Sequence, residues 1–93
     1  MRKFVIEREL PAIGQASAEN LQVAARTSNA ALAAIGPKIQ WLESYVAADK
    51  TFCIYLAEDE AAIHEHAKRS GFPASKITEV KRMIDPTTAG TAG

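Results

Sequence analysis

The sequence predicts an α+β domain of the ferredoxin-like type, with the element order β-α-β-β-α-β. Three observations support this prediction: alternating segments at both ends of the chain, two capped segments with helical periodicity, and a central hairpin between them. Two right-handed crossovers then give a four-stranded antiparallel sheet with both helices on one face.

The first strand and the first helix have clear boundaries. Residues Lys3 to Glu9 alternate between apolar and charged side chains, and Pro11 ends the strand. Ser17 is suited to cap the N-terminus of the following helix, and Gly36 with Pro37 ends it. Small or apolar residues recur along one side of this helix, at Leu21, Ala25, Ser28, Leu32 and Ile35.

The hairpin from Ile39 to Ala57 supplies strands two and three. A loop of three residues, Ala48 to Lys50, would pair Tyr45 with Cys53 and Glu43 with Tyr55. One face then carries Trp41, Glu43, Tyr45, Cys53 and Tyr55. The other carries Leu42, Val46, Phe52, Ile54 and Leu56. We expect the second, more apolar face to lie against the helices and the first to be open.

The second helix and the last strand complete the domain. Asp59 starts a shorter helix that Gly71 closes, and Ile63 lies at the centre of its buried stripe. The alternating segment Lys76 to Ile84 is the fourth strand. We expect one domain over residues 1–86 and a flexible tail over residues 87–93, because the tail is small and polar.

Composition excludes several classes of function. The chain has 93 residues, enough for one domain with a thin core, and its 11 basic and 11 acidic residues cancel. A zero net charge without a basic patch disfavours nucleic acid as a partner. Charged residues interrupt the first apolar run too early for a membrane span. The single cysteine, Cys53, fits a reducing compartment, so we expect a cytoplasmic protein.

The open sheet face predicts a partner. A face that carries Trp41, two tyrosines and a cysteine is an apolar patch that a monomer rarely leaves exposed. We therefore expect a homodimer in which two sheets pack face to face, as in dimeric α/β barrels. A surface that serves only for dimerisation, with no ligand, fits the same residues.

Cys53 and His66 are the first candidates for metal ligands. A thiolate suits soft or borderline divalent ions, although a small buried cysteine without a ligand is an equal alternative. His66 lies beside the buried stripe of the second helix, whereas His64 points to the surface. A core-edge histidine bonded within the protein is the alternative for His66.

Carboxylates and aromatic residues complete the candidate site. Glu7, Glu43 and Glu79 each sit among apolar neighbours on a strand, and we expect all three to point toward the open face. A carboxylate buried there must be paired or bound to a metal. Lys81 is an alternative partner for Glu79. Tyr45, Tyr55 and Trp41 are the candidates for contact with a bound molecule, or they are anchors of a dimer interface.

The sequence resembles a family of small bacterial nickel-binding or nickel-responsive proteins. The resemblance lies in the segments Trp41 to Val46, Lys50 to Tyr55, Glu65 to Ala67 and Gly71 to Pro73, with Ile84-Asp85-Pro86 and Arg26 to Asn29. It implies a ferredoxin-like fold, a dimer formed through the sheet and the binding of Ni²⁺. It also implies roles for Cys53, Tyr55 and His66, while His64 stands where the family has a basic residue.

Two functions follow as hypotheses. The first is a cytoplasmic, non-catalytic homodimer that binds Ni²⁺ or a similar divalent ion through Cys53, His66 and the carboxylates. The second is a small-molecule pocket like those of cofactor-free monooxygenases and related isomerases, with Tyr55, His66 and Glu7 as its polar residues. Enzymatic activity is the less favoured of the two.

Overall fold

The computed structural model describes residues 1–91 and contains the predicted elements in the predicted order. These are β1 (Arg2–Glu9), α1 (Ala18–Ile35), β2 (Ile39–Val46), β3 (Lys50–Ala57), α2 (Glu60–Ser70) and β4 (Lys76–Val80). A 3₁₀ turn at Ile13–Gln15 follows β1, and a short helix α3 covers Thr88–Thr91. The sheet is antiparallel with strand order β2-β3-β1-β4, so the ferredoxin-like fold is confirmed. Within residues 1–91, no helix is long and apolar enough to cross a membrane.

Both long helices begin and end where their capping residues predict. The Ser17 hydroxyl accepts a hydrogen bond from the Asn20 N–H (3.1 Å), and the Asp59 carboxylate accepts one from the Ala62 N–H (3.0 Å). Gly71 adopts the left-handed conformation at the end of α2, with φ of 80°. These local signals fix the lengths of the helices that cover the sheet.

The core lies between the helices and one face of the sheet. Alternate residues of β1 are fully buried there, and α2 contributes Ile63 and Ala62. Leu32 and Ile35 of α1 pack against the same cluster. The buried members of this cluster are Phe4, Ile6, Ile39, Cys53, Tyr55, Ala57, Ala62 and Ile63.

The predicted hairpin register is wrong by one residue. Tyr45 pairs with Phe52 rather than Cys53, and Ser44 pairs with Cys53. The connecting residues are 47–49, because the Ala47 N–H donates to the Lys50 carbonyl (2.9 Å) and Lys50 already belongs to β3. A loop of three residues does form, one position earlier than the sequence suggested.

The predicted assignment of faces is wrong for Cys53, Tyr55 and Trp41. Cys53 and Tyr55 are almost fully buried on the side of the helices, and Trp41 pairs with Tyr55 on that same side. The more apolar row, Phe52, Ile54 and Leu56, lies half-buried on the open face instead. The prediction failed because it assigned the more apolar row to the buried face. In the structure, Ser28 and His66 on the helices contact Tyr55 and allow the more polar row to be buried.

A β-bulge at Leu42 explains how Trp41 and Glu43 come to lie on opposite faces. The register shifts there, so that Trp41 pairs with Tyr55 while Glu43 pairs with the next residue, Ile54. Without the bulge, residues two apart would share a face. The bulge therefore turns Trp41 inward and leaves Glu43 outside.

The fourth strand is shorter than predicted. Its last pair is Lys3 with Val80, and β1 extends only one residue further, to Arg2, so the segment after residue 81 has no strand residue opposite it. The tail after residue 86 contains α3, and its flexibility stays a prediction. Ala92 and Gly93 lie outside the described residues.

The 3₁₀ turn packs against the hairpin loop. The N–H of Gly14 donates to the carbonyl of Ala48 (2.9 Å), and the N–H of Leu10 donates to the carbonyl of Asp49 (3.0 Å). The Asp49 carboxylate also accepts from the Ala12 N–H (2.9 Å). This contact holds the β1–α1 connection over one end of the sheet.

Candidate functional site

A pocket of about 300 Å³ lies between the first half of α1 and the inner face of the sheet. Its walls are mainly apolar, and its polar residues come from strands β1, β2 and β3 and from α1. The lining residues are Arg8, Leu10, Ile13, Leu21, Ala24, Ala25, Ser28, Trp41, Ser44, Val46, Thr51, Cys53, Tyr55 and Phe72. The volume is at the lower end of the range for small-molecule sites.

Small side chains on α1 explain why the space exists. Ala24, Ala25 and Ser28 face the sheet up to just past the middle of the helix, whereas Leu32 and Ile35 near its C-terminus reach the core. Alanine and serine are too short to fill the distance that the larger residues set between helix and sheet. The same helix therefore closes the core at one end and leaves a pocket at the other.

Arg8 is a buried cation in the floor of this pocket. Its residue is only 3% exposed, because it continues the inward row of β1 after Phe4 and Ile6. The guanidinium donates to the Pro73 carbonyl (2.8 Å), more weakly to the Phe72 carbonyl (3.4 Å), and lies 5.9 Å from the centre of the Tyr55 ring. Within residues 1–91, no carboxylate forms a salt bridge with it.

His66 connects Arg8 to the first helix. Its Nδ1 lies 3.4 Å from the Arg8 guanidinium and its Nε2 lies 3.0 Å from the Ser28 hydroxyl. Arginine can only donate, so Nδ1 must be the acceptor and the ring proton resides on Nε2. The Nε2–H then donates to the Ser28 oxygen, which fixes the direction of the network.

The surroundings of His66 favour its neutral form. Burial lowers the pKa of this imidazole to about 4, and the nearby charge of Arg8 acts in the same direction. The ring is fully buried, and its polar partners are the Arg8 guanidinium and Ser28, whose backbone as well as its hydroxyl contacts the imidazole. His66 is therefore an uncharged link between a cation and a hydroxyl at neutral pH.

Tyr55 brings the network to the pocket wall. Its hydroxyl lies 3.4 Å from the Ser28 hydroxyl, and its ring stacks at 6.5 Å from Trp41 and lies 5.2 Å from His66. Burial raises the pKa of Tyr55, while Ser28 and Arg8 oppose that change. The phenol therefore stays protonated and can donate a hydrogen bond into the pocket.

Cys53 lies on the same wall as a free thiol. It is 5% exposed, lines the pocket and has the Thr51 hydroxyl 3.4 Å from its sulfur. The structure thus brings Cys53, Tyr55 and Trp41 together around the pocket, with His66 directly behind Tyr55.

The other predicted residues lie elsewhere. Glu7 and Tyr45 are on the open face, where Glu7 is paired with Lys50 (3.3 Å), and Glu43 is exposed on the same side. The small-molecule hypothesis placed Glu7 in one pocket with Tyr55 and His66. The structure places Glu7 on the opposite face of the sheet. His64 is exposed, as predicted.

Glu79 is paired with cations rather than directed to the open face. It pairs across the sheet with Phe4, so it lies on the helix side of the edge strand, and its predicted outward orientation is wrong. Arg2 lies 2.6 Å from its carboxylate and Lys81 lies 3.2 Å away, and these two cations lower the pKa of Glu79 to about 2. The Lys81 pairing that the sequence suggested is confirmed.

The five predicted metal ligands do not form one site within a protomer. Among residues 1–91, no group of three histidine, cysteine or carboxylate side chains is placed to hold an ion. Both His66 nitrogens are engaged, and Arg8 places a positive charge beside them. Within a single protomer these groups do not fit a nickel ion.

Arg8 and Ser28 are the site residues that the sequence analysis missed. Arg8 follows Phe4 and Ile6 at an interval of two, so strand alternation alone places this charged residue on the buried face. Ser28 was included in the buried stripe of α1, but its hydroxyl was not recognised as a partner for His66.

Comparison with known proteins places the chain in a family. A family model described as nickel responsive protein SCO4226-like matches residues 4–80. The crystal structure of SCO4226 from Streptomyces coelicolor A3(2) superposes with a TM-score of 0.74 at 15% identity, covering 88% of this chain and 99% of the other. No curated protein matches the sequence.

The structural similarity supports the fold, and the family model covers most of the chain. The chain belongs to the SCO4226-like family of nickel responsive proteins.

Proposed function

We propose that this chain is a non-catalytic, nickel-related binding protein of the cytoplasm that acts as a homodimer. The match of residues 4–80 to the nickel responsive family carries the proposal. The free, unbridged Cys53 is consistent with a reducing compartment.

The open sheet face is the surface that we assign to the dimer. Val5, Phe52, Ile54 and Leu56 form a half-buried apolar band across its two central strands. A second copy would cover this band by an isologous contact, and it would enlarge the small core of a 93-residue chain.

The same face carries two of the predicted ligands. Glu7 and Glu43 lie beside the apolar band, and a two-fold axis would bring a second copy of each to the interface. We therefore place nickel binding in the dimer and assign these carboxylates to it. Cys53 with His66 is the competing pair, located on the inner face.

Metal analysis of untagged protein, purified without a chelating column, tests the proposal. We expect bound nickel and a rise in thermal stability when Ni²⁺ is added, because a ligand that binds only the folded state stabilises it. The double variant Glu7→Gln with Glu43→Gln should lose that rise, whereas Cys53→Ala and the surface control His64→Ala should keep it. Loss of the rise in Cys53→Ala would transfer the site to the inner face. Absence of both bound nickel and stabilisation in the parent would overturn the proposal.

Light scattering after size exclusion tests the dimer. Ile54→Lys places a charge in the middle of the apolar band and should give a monomer that is still folded. Val23→Lys, an equally drastic change at an exposed position of α1, should leave the dimer intact. A monomeric parent, or a dimeric Ile54→Lys variant, would exclude this interface.

A further inference from the structure

The buried guanidinium of Arg8 lacks a negative partner. It is 3% exposed, and its contacts are two main-chain carbonyls, a neutral imidazole, and the ring and hydroxyl oxygen of Tyr55, none of which is an anion. Within the described part of the chain it makes no salt bridge. Buried charges in proteins are normally paired, since removing an unpaired charge from water is strongly unfavourable. Because Arg8 lines the pocket, the missing negative charge has room to enter.

The hydrogen-bond network also presents a donor to the pocket. Arg8 donates to His66 Nδ1, His66 donates from Nε2 to Ser28, and the Ser28 proton is then available for the Tyr55 oxygen. Since that oxygen accepts, the phenol proton of Tyr55 remains for a ligand. The direction of the whole chain follows from the fact that arginine has no acceptor.

The rest of the pocket is apolar. Leu21, Ala25 and Val46 line it together with the ring of Trp41, and the volume is about 300 Å³. Such walls favour a compact hydrophobic body, and they exclude strongly hydrated ions such as free phosphate. A ligand that suits both parts has an apolar body and an anionic oxygen.

We propose that the pocket beneath α1 binds a small organic carboxylate with an aromatic or branched apolar body. Its carboxylate pairs with Arg8 and accepts the hydrogen bond from Tyr55, and its body lies between α1 and Trp41. Charge-assisted hydrogen bonds of this kind are the strong ones in a low-dielectric site. This site is separate from the carboxylates to which nickel binding is assigned.

Phenylacetate, its neutral amide and acetate form a matched set of probes. Trp41 is the only tryptophan and lines the pocket, so its fluorescence reports binding directly, and calorimetry gives the affinity. We expect phenylacetate to bind at least about tenfold more tightly than phenylacetamide, and acetate not to bind measurably. Equal affinity for the acid and the amide, or no response to either, would overturn the proposal.

Substitutions of Tyr55 and Arg8 test whether these two side chains bind the carboxylate. Tyr55→Phe keeps the ring and removes the donor, and it should weaken phenylacetate about tenfold while leaving the amide less affected. Arg8→Met should abolish the preference for the acid, and Arg26→Met, on the exposed side of α1, should leave it unchanged. If Arg8→Met does not fold, the Tyr55→Phe result and the acid-to-amide ratio of the parent still decide. A ratio unchanged in Tyr55→Phe would remove Tyr55 from the site.

The experiment is done with protein treated with a chelator and repeated with added Ni²⁺. The proposal predicts the same affinity for phenylacetate in both conditions, because the pocket and the open face lie on opposite sides of the sheet. Binding that requires nickel would contradict it. If the protein binds no nickel, the affinities of phenylacetate and phenylacetamide still test the pocket on their own.

Discussion

His66 Nε2 lies 3.0 Å from the Ser28 hydroxyl, and this hydrogen bond joins the two long helices across the floor of the pocket. Ser28 is 4% exposed and His66 is fully buried, so water cannot replace either partner. The bond therefore contributes to stability and also fixes which group faces the pocket.

The stability of the fold should fall as the pH drops through the range set by His66. Its pKa is about 4 in the folded chain and 6.5 in the reference state, so the unfolded chain binds more protons between these values. The part of the free energy of unfolding that depends on a neutral His66 is fully present above pH 6.5 and is lost as the pH falls toward 4. This part amounts to about 3 kcal/mol. Urea unfolding at several pH values measures this slope. His66→Gln should remove it, and an unchanged slope in that variant would contradict the assignment.

Replacing Ser28 by alanine should destabilise the protein by about 1 kcal/mol, because the buried His66 ring loses its hydroxyl partner and keeps only its contact with the backbone of residue 28. Thr27→Ala is the control, since its exposed hydroxyl bonds only within α1. That control should cost less than about 0.5 kcal/mol. Urea denaturation of both variants makes the comparison. Equal losses of stability in the two variants would mean that the hydrogen bond between the helices does not stabilise the fold.

Deleting Leu42 should leave the fold intact. Trp41 and Glu43 already pair with adjacent residues of β3, so removal of the bulged residue restores a regular register without turning any side chain over. Leu42 is 45% exposed, so little buried surface is lost. Deletion of Ser44 instead should be severe, since it brings Glu43 opposite Cys53 and so turns a carboxylate to the buried face. Near-ultraviolet circular dichroism of Trp41 distinguishes the two, and an unfolded Leu42 deletion would contradict the bulge.

A methyl group at Gly14 should weaken the contact between the 3₁₀ turn and the hairpin loop. A Cβ atom there would lie 2.7 Å from the Ala47 carbonyl oxygen and 2.9 Å from the Ala48 Cα, both of them backbone atoms. We expect Gly14→Ala to cost about 1–3 kcal/mol in thermal or urea unfolding. Gly90→Ala, with open space around its Cβ, should be neutral. An unchanged stability of Gly14→Ala would show that the 3₁₀ turn can move away from the hairpin loop without loss.

The sequence predicted the fold well because its strongest signals are local. Ser17, Asp59 and Gly71 mark helix ends through hydrogen bonds or backbone conformation that do not depend on the rest of the chain. The length of β4 was not predictable in the same way, since it depends on where its partner β1 begins.

The faces of the hairpin needed tertiary information. Thr51, Cys53 and Tyr55 form a less apolar row than Phe52, Ile54 and Leu56, yet the first row is the buried one. His66 and Ser28 on the helices provide partners for the Tyr55 hydroxyl and its ring, and the sequence of β3 does not reveal them. Arg8 was the available signal, because a charge in the inward row of β1 already indicated a polar interior.

The most direct test of the inward polar network is the ¹⁵N NMR spectrum of the His66 ring. At neutral pH the ring should be uncharged with its proton on Nε2, and it should stay so down to about pH 5, since its folded pKa is about 4. A proton on Nδ1, or an imidazolium already formed near pH 6.5, would contradict the direction of the hydrogen bonds from Arg8 to Tyr55.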